Sequence, residues 1–346
     1  MKILYGVQGT GNGHTTRARI MAKHFNRLGV DVDYFFSGRE SSKYFDMDVF
    51  GNYTSAPGMT FSHQNGKVQI IETAKQLRLG RFIKDVKELD LSGYDLVLND
   101  FEPISAWAAK RQNKKVVAIS HQASFLSHSV PIEQANIFTR GLIRGFAPAD
   151  IHLGVHWLPF SNSIIPPFID SHELCNGSVI ENKILVYLPF EQLDTVVDYL
   201  QQFPQIEFYC YHPDAEVNSV QNVHLRKPCR DGFLTDLMMC QGVVANAGFE
   251  LSSEALRYGK KILVKPLQGQ FEQASNALTL NKMGMGQSME YLNVDAMSDW
   301  LDDVAKPAMQ FPSDPTPLIE WLLAPAGTME QMTKRLWQGI NLPQIT

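Results

Sequence analysis

A histidine ends a run of alternating glycines near the N-terminus, Gln8-Gly9-Thr10-Gly11-Asn12-Gly13-His14-Thr15-Thr16-Arg17, directly after the apolar run Lys2 to Val7. A strand, a glycine turn and a helix start, in that order, let the backbone approach a ligand closely, accept positive φ and offer unpaired N–H groups at the helix mouth. The spacing is GxGxG, whereas a dinucleotide fingerprint has GxGxxG and a Walker A loop ends in GK[ST]. Neither of those nucleotide readings fits. An imidazole at such a helix start suits a general base near pH 7, with Gly11, Gly13 and Arg17 forming an acceptor or phosphate loop around it. The competing reading is that His14 only caps the helix.

Two carboxylates follow in Asn99-Asp100-Phe101-Glu102-Pro103, at the carboxyl end of an apolar run. Asp100 or Glu102 can orient the His14 imidazole or meet a ligand hydroxyl, while Pro103 opens the next helix. N-capping by Asp100 is the alternative. His121 and Gln122 occupy the same kind of strand end after Lys115 to Ser120, as ligand-facing groups or as loop polars.

The most specific stretch is Asn246-Ala247-Gly248-Phe249-Glu250-Leu251-Ser252-Ser253-Glu254-Ala255, with Glu272-Gln273-Ala274-Ser275-Asn276-Ala277 beyond it. Gly248 and the amides after it, including that of Phe249, form an anion site at the positive end of a helix. Glu254 lies one turn past Glu250 on the same face, where a carboxylate can accept both hydroxyls of a ribose. Glu250 is read as favourable helix-dipole placement. The set suits a nucleotide diphosphate carrying a sugar.

These residues need elements to hold them. The first half alternates strands (Lys2 to Val7, Val30 to Phe36, Tyr94 to Asn99, Lys115 to Ser120, Ile151 to Val155) with helical patterns, of which Ala18, Met21, Ala22, Phe25 and Leu28 before Gly29 is the clearest. Pro159, Ser161, Asn162, Ser163, Pro166 and Pro167 then read as a linker. From Lys183 the alternation restarts: strands Ile184 to Leu188, Ile206 to Tyr211, Gly242 to Asn246 and Lys261 to Val264, with helices between them. The expected fold is α/β, two tandem Rossmann-like doubly wound domains facing a cleft. The expected division is an N-terminal acceptor-binding domain over 1–157, a linker over 158–181, a donor-binding domain over 182–315, and C-terminal helices over 316–346 packing back toward the first domain. Leu318 to Trp337 reads as helical throughout.

The chain has 346 residues and a formal net charge of -5, so it carries no basic footprint for nucleic acid. Cys175, Cys210, Cys229 and Cys240 show neither metal spacing nor disulfide density, and no run reaches the length of a membrane span. A cytoplasmic protein is expected, with no weight on the sequons at Asn52 and Asn176. Lys75, Arg78, Arg81, Lys84 and Lys87 alternate with Leu77, Leu79, Phe82, Ile83 and Val86. This stretch is read as a solvated helix face interrupted by Gly80, peripheral membrane contact being the other possibility.

The glycine loop ending in His14, the Asn246 to Ala255 stretch and the Glu272 to Ala277 stretch together resemble the signature loops of GT-B glycosyltransferases, in particular UDP-glucuronosyltransferases and the peptidoglycan UDP-N-acetylglucosamine transferase. The resemblance implies that Gly248 and Phe249 bind the donor diphosphate, Glu254 the ribose, and Gln273 with Glu272 and Asn276 the donor sugar, with His14 the base and Asp100 its partner. Glu272 stands where many members have aspartate, and Ala247-Gly248 where they have Gly-Gly. The donor is then a nucleotide sugar, a UDP-sugar first, used as substrate with no separate cofactor. The acceptor is a small molecule, a glycan or a lipid-linked group, its pocket shaped by loops over 52–67 and 124–134.

Asp31-Val32-Asp33 and Asp46-Met47-Asp48 match the DxD motif of metal-dependent transferases, but the first sits at the start of a strand, the wrong end for a ligand. No metal is expected, and helix amides with Arg17 or Lys265 are expected to neutralise the leaving diphosphate. A UDP-sugar epimerase of the same fold and a non-catalytic nucleotide-sugar-binding protein are the other classes considered.

Overall fold

The computed structural model describes residues 1–59, 63–64, 67–68, 79–133, 137–170, 178–324 and 327–345. Cys175, the sequon at Asn176, and Lys75, Leu77 and Arg78 of the basic stretch lie outside the described residues, as do parts of both loops expected to shape the acceptor pocket.

The chain forms two compact bodies, one from Met1–Ser62, Gln69–Asp170 and Phe311–Gly339, the other from His63–Val68, Ser171–Gln310 and Ile340–Thr346. In the first lie β1 (Lys2–Gln8), β2 (Asp31–Ser37) and β3 (Tyr53–Ala56), while the short antiparallel pair that follows them in the chain, β4 (His63–Gln64) and β5 (Lys67–Val68), groups with the other body. Then come β6 (Leu96–Asp100), β7 (Val116–Ser120), β8 (Ile151–Val155) and β9 (Ile164–Ile165). The sheet order is β3-β2-β1-β6-β7-β8-β9, every pairing parallel. The strand order reverses between β1 and β6. In a doubly wound sheet that switch point opens a crevice at the carboxyl ends of the two strands.

Helix α1 (Asn12–Leu28) buries Ala18, Met21, Ala22 and Phe25, and ends at Gly29, whose φ of 64° lets its N–H bond back to Phe25 and Asn26 carbonyls. Helix α2 (Leu79–Glu88) buries Val86, and α3 (Pro103–Arg111) covers the sheet with Ile104, Ala108 and Ala109 against Leu4, Phe35, Val97 and Val116. Gly80 lies within α2 and does not interrupt it. Arg81 with Asp85 and Lys84 with Glu88 pair along the helix at 3.8 and 3.6 Å, the exposed ladder of a solvated face. Short α4 (His121–Ser124) and α5 (Ile137–Phe146) complete this series.

Residues 158–170, expected as linker, instead contribute β9 and the buried Leu158, Phe168 and Ile169 to the first body. Proline and serine there accompany a short edge strand, whose neighbour β8 leaves a free ladder for it.

The second body contains β10 (Lys183–Tyr187), β11 (Glu207–Tyr211), β12 (Asn218–Val220), β13 (Val223–Arg226), β14 (Gly242–Ala245), β15 (Lys261–Val264) and β16 (Gln287–Ser288). Its order is β12-β13-β11-β10-β14-β15-β16, parallel except at β12–β13, and the switch point lies between β10 and β14. Helices α6 (Leu193–Leu200), α7 (Arg230–Met239), α8 (Phe249–Arg257), α9 (Phe271–Lys282) and α10 (Val294–Asp302) connect the strands. Val196, Tyr199 and Leu200 of α6 and Met297 and Trp300 of α10 pack on Ile184, Val186, Phe208, Val244 and Leu263.

The helical pattern from Leu318 to Trp337 is two helices, α11 (Thr316–Leu323) and α12 (Met329–Trp337). The break falls where Gly327 takes φ 99° and Thr328 starts a new helix through a capping box with Gln331. Trp337 donates its indole N–H to Ile164 O at 2.7 Å, covering the β9 edge. No helix among the described residues is long and apolar enough to cross a membrane.

Candidate active site

At the switch point of the first sheet, the loop after β1 and the end of β6 bring His14 and Asp100 together. His14 Nδ1 lies 2.7 Å from Asp100 Oδ1, and Arg17 Nη1 donates to the same oxygen at 3.3 Å. Asp100 is fully buried, Arg17 nearly so, and the His14 side chain keeps 13% exposure. An ionised Asp100 requires the proton on Nδ1, which leaves the lone pair on Nε2, the geometry of a base oriented by a carboxylate. Asp100 Oδ2 is buried with no hydrogen-bond partner. The capping reading of His14 does not hold, since the N-cap is Gly11, with no side-chain cap bond, and the His14 ring turns to Asp100.

Capping is the work of Glu102. Its carboxylate accepts from Ile104 N at 2.8 Å and Ser105 N at 2.6 Å, and Ser37 Oγ donates to it at 2.5 Å. Complete burial pushes this carboxyl up, against the lowering effect of those donors. Between the two acids Phe101 takes φ 55°, a conformation that costs a bulky residue of order 1–3 kcal/mol. Asn99 supports the turn, its Nδ2 donating to Glu102 O at 2.7 Å and its Oδ1 accepting from Glu102 N at 3.2 Å. The left-handed residue lets adjacent acids separate their tasks, Asp100 toward His14 and Glu102 into the helix.

The glycine loop works differently from the expectation. None of Gly9, Gly11 and Gly13 has positive φ. A Cβ on Gly9 would lie 2.1 Å from the Tyr44 hydroxyl, so Gly9 is needed for space, while Gly11 faces nothing within 4 Å. Arg39 fastens the loop through Gly9 O and, at 3.2 Å, Asn12 Oδ1.

In the second body, the chain leaving β14 turns at Asn246 and Ala247 into α8, with Gly248 as N-cap at φ -70° and no side-chain cap. The Gly248 N–H itself donates to Asn246 O at 2.7 Å. A Cβ on Gly248 would meet nothing within 4 Å. Ala247 needs no positive φ, so replacing Gly-Gly with Ala-Gly costs the turn nothing. Asn276, fully buried, donates from Nδ2 to Ala247 O at 3.0 Å, and Asn246 Nδ2 donates to Lys265 O at 2.9 Å. Gln273 accepts from Leu267 N at 3.0 Å through its carbonyl oxygen. Glu254 and Glu272 are half-buried, and Phe249 is buried.

The profile of the family described as Glycosyl transferase family 1 matches residues 1–305. The chain belongs to this family. Glycosyl transferase family 1 membership makes it a sugar-transferring enzyme, and the fold agrees. The structure is similar to the spinosyn forosaminyltransferase SpnP, with a TM-score of 0.62 at 13% identity over 94% of this chain and 99% of that one. It is also similar to the Streptomyces sp. SF2575 glycosyltransferase SsfS6 complexed with thymidine diphosphate (0.59, 14%, 97% and 94%) and to LpCGTa in complex with UDP (0.58, 12%, 97% and 98%). At these identities the likeness establishes the GT-B fold, and does not bear on the narrower resemblance to UDP-glucuronosyltransferases. No curated protein gives a significant match.

Against that family frame, several expected residues stand elsewhere. Arg17 donates to Asp100 Oδ1. His121 is 1% exposed: its Nδ1 is 2.9 Å from Val155 O, and its ring packs on Phe125, His156 and Trp157. The same interior holds His156 well below the usual histidine range, chiefly through burial. Gln122 is buried beside it in α4. Short α4 turns both residues inward from the strand end. Asn276 acts on the Ala247 carbonyl and so positions the loop. Asp33 of the first DxD pair is engaged by Lys2 at 2.9 Å and Tyr94 at 2.8 Å.

Proposed function

We propose that the chain moves a sugar from a nucleoside-diphosphate sugar to an acceptor hydroxyl by direct displacement, with inversion at the anomeric carbon and without a metal ion. The observation that carries the proposal is the His14–Asp100 contact at a strand switch point, in a chain of this family. His14 Nε2 takes the acceptor proton as the hydroxyl attacks, Asp100 stabilises the imidazolium, and the diphosphate leaves against the α8 amides around Gly248. Glu254 accepts the ribose hydroxyls, and Glu272 with the amide end of Gln273 meets the donor sugar.

Solved neighbours with UDP or thymidine diphosphate support a pyrimidine base, UDP first. Thermal shifts across UDP-, TDP- and GDP-sugars test the donor, because a ligand of the native state raises its melting temperature. Nucleoside diphosphate released only with an acceptor alcohol present is the expected result. Release without acceptor, or a product keeping the donor's anomeric configuration, overturns the mechanism.

A further inference from the structure

Asp100 orients the His14 ring, but the backbone that carries the ring has little of its own to hold it. Gly9, Gly11 and Gly13 leave the segment before His14 more conformational freedom than other residues would, and Gly11, the N-cap of α1, places no side chain on the helix mouth. A working base needs its geometry fixed to within about 0.5 Å. Here the fixing comes from outside the loop.

Arg39, half-buried in the segment after β2, supplies it. Its Nε donates to Gly9 O and its Nη1 to Asn12 Oδ1 at 3.2 Å, so one guanidinium joins the two sides of Gly11. The planar fork of arginine suits two such acceptors, whereas a lysine ammonium is a point charge. Behind the fork, the guanidinium carbon lies 5.2 Å from the Tyr44 ring centroid, and that ring packs on Phe36 at 5.4 Å and Tyr53 at 6.4 Å. Phe36 and Tyr53 belong to β2 and β3, so the contact ties the loop to the sheet. Main-chain bonds close the same corner, Gly9 N to Ser37 O at 2.5 Å and Gly38 N to Pro57 O at 3.0 Å. Residue spacing gives no sign of this, since 30 positions separate Arg39 from Gly9.

We propose that Arg39 is a positioning residue for sugar transfer: by clamping Gly9 and Asn12 it sets the start of α1, and with it the reach of His14 Nδ1 to Asp100. This rests on the reading of His14 as the base. Arg39 acts through His14 and not on the reacting atoms.

Imidazole NMR on the whole chain carrying isotope-labelled histidine tests the assignment without a substrate. In the wild type the His14 ring is expected to hold its proton on Nδ1, a signal identified by its loss in H14A and its shift in D100N. R39A is expected to lose that single tautomer while its melting curve shows it folded at the temperature of measurement. R39K keeps the charge and the stem but not the fork, and is expected to show part of the same loss should R39A fold poorly. In turnover, R39A is expected to lower kcat about 10–100-fold, with donor affinity by calorimetry changed less than about twofold. In the H14A background the same substitution is expected to change kcat less than about twofold, since a residue acting through His14 has nothing left to act on. Unchanged His14 signals in folded R39A and R39K, or an R39A penalty of equal size with and without His14, overturn the inference in favour of a loop contact alone. A wild-type ring without the Nδ1 proton, or H14A turning over at the wild-type rate, defeats the base reading itself, whereas a slow H14A beside a normal R39A defeats this inference alone.

Discussion

The two switch points carry opposite kinds of site. In the first body side chains meet: His14 and Arg17 both reach Asp100 Oδ1 within 3.3 Å, and Gly9 in the glycine loop is crowded by Tyr44. In the second body no side chain caps α8, and the glycine at its N-cap has open space around it. The difference teaches that glycine has two meanings in one chain. A Cβ on Gly9 would strike Tyr44; a Cβ on Gly248 would meet nothing within 4 Å.

Removing the base tests this contrast most severely. His14→Ala is expected to lower kcat by about 10²–10⁴-fold while donor affinity by calorimetry stays near wild type. Equal losses in kcat and donor affinity would break the division between a chemical site and a recognition site. Asp100→Asn is expected to be similarly slow and to unfold more easily by about 3–5 kcal/mol, because the buried Arg17 guanidinium loses the carboxylate it donates to; urea denaturation reads that cost.

Exchanging the glycines sharpens the comparison. Gly9→Ala is expected to cost about 1–3 kcal/mol of stability by overpacking against Tyr44. Gly248→Ala is expected to leave stability within about 0.5 kcal/mol and to weaken donor binding, since its methyl occupies only the approach to the amides. Were the two variants to behave alike, the distinction between filled and open glycines would be lost.

The smallest effect concerns Glu102. Its folded-state pKa is raised, chiefly by burial, so the folded chain holds the proton at a pH where the unfolded chain has released it. Stability therefore falls as pH rises from the ordinary carboxylate range through the folded value, and is level above it. Glu102→Gln is expected to flatten this slope in urea denaturation at successive pH values, with His14-dependent turnover retained.

Much of this was legible in the sequence. Alternating apolar runs marked the parallel strands, because buried parallel strands are continuous in hydrophobicity, and Gly29 marked a helix end through its need for φ near 64°. His14, Asp100 and Gly248 stood out because each lies where a strand gives way to a helix. Other assignments depended on tertiary packing. Nothing in Asn99 to Pro103 says which acid turns toward His14, as that is decided by the left-handed Phe101. His121 at a strand end looks like a site residue until α4 rolls it inward against Val155 O. Lys265 and Glu191 are 74 residues apart, and only the sheet order brings them together.

The turn at Phe101 has a consequence for sequence tolerance. From Asn99 to Ser105 nearly every polar side chain is committed to a neighbour in the same segment or to His14, Arg17 and Ser37, around one residue held in a strained conformation. Effects of substitutions here will not add. Exchanging Asn99 alters the turn that separates Asp100 from Glu102, so double-mutant cycles within the segment should show coupling of about 0.5–3 kcal/mol. Inside this heptapeptide a workable change must come as a set.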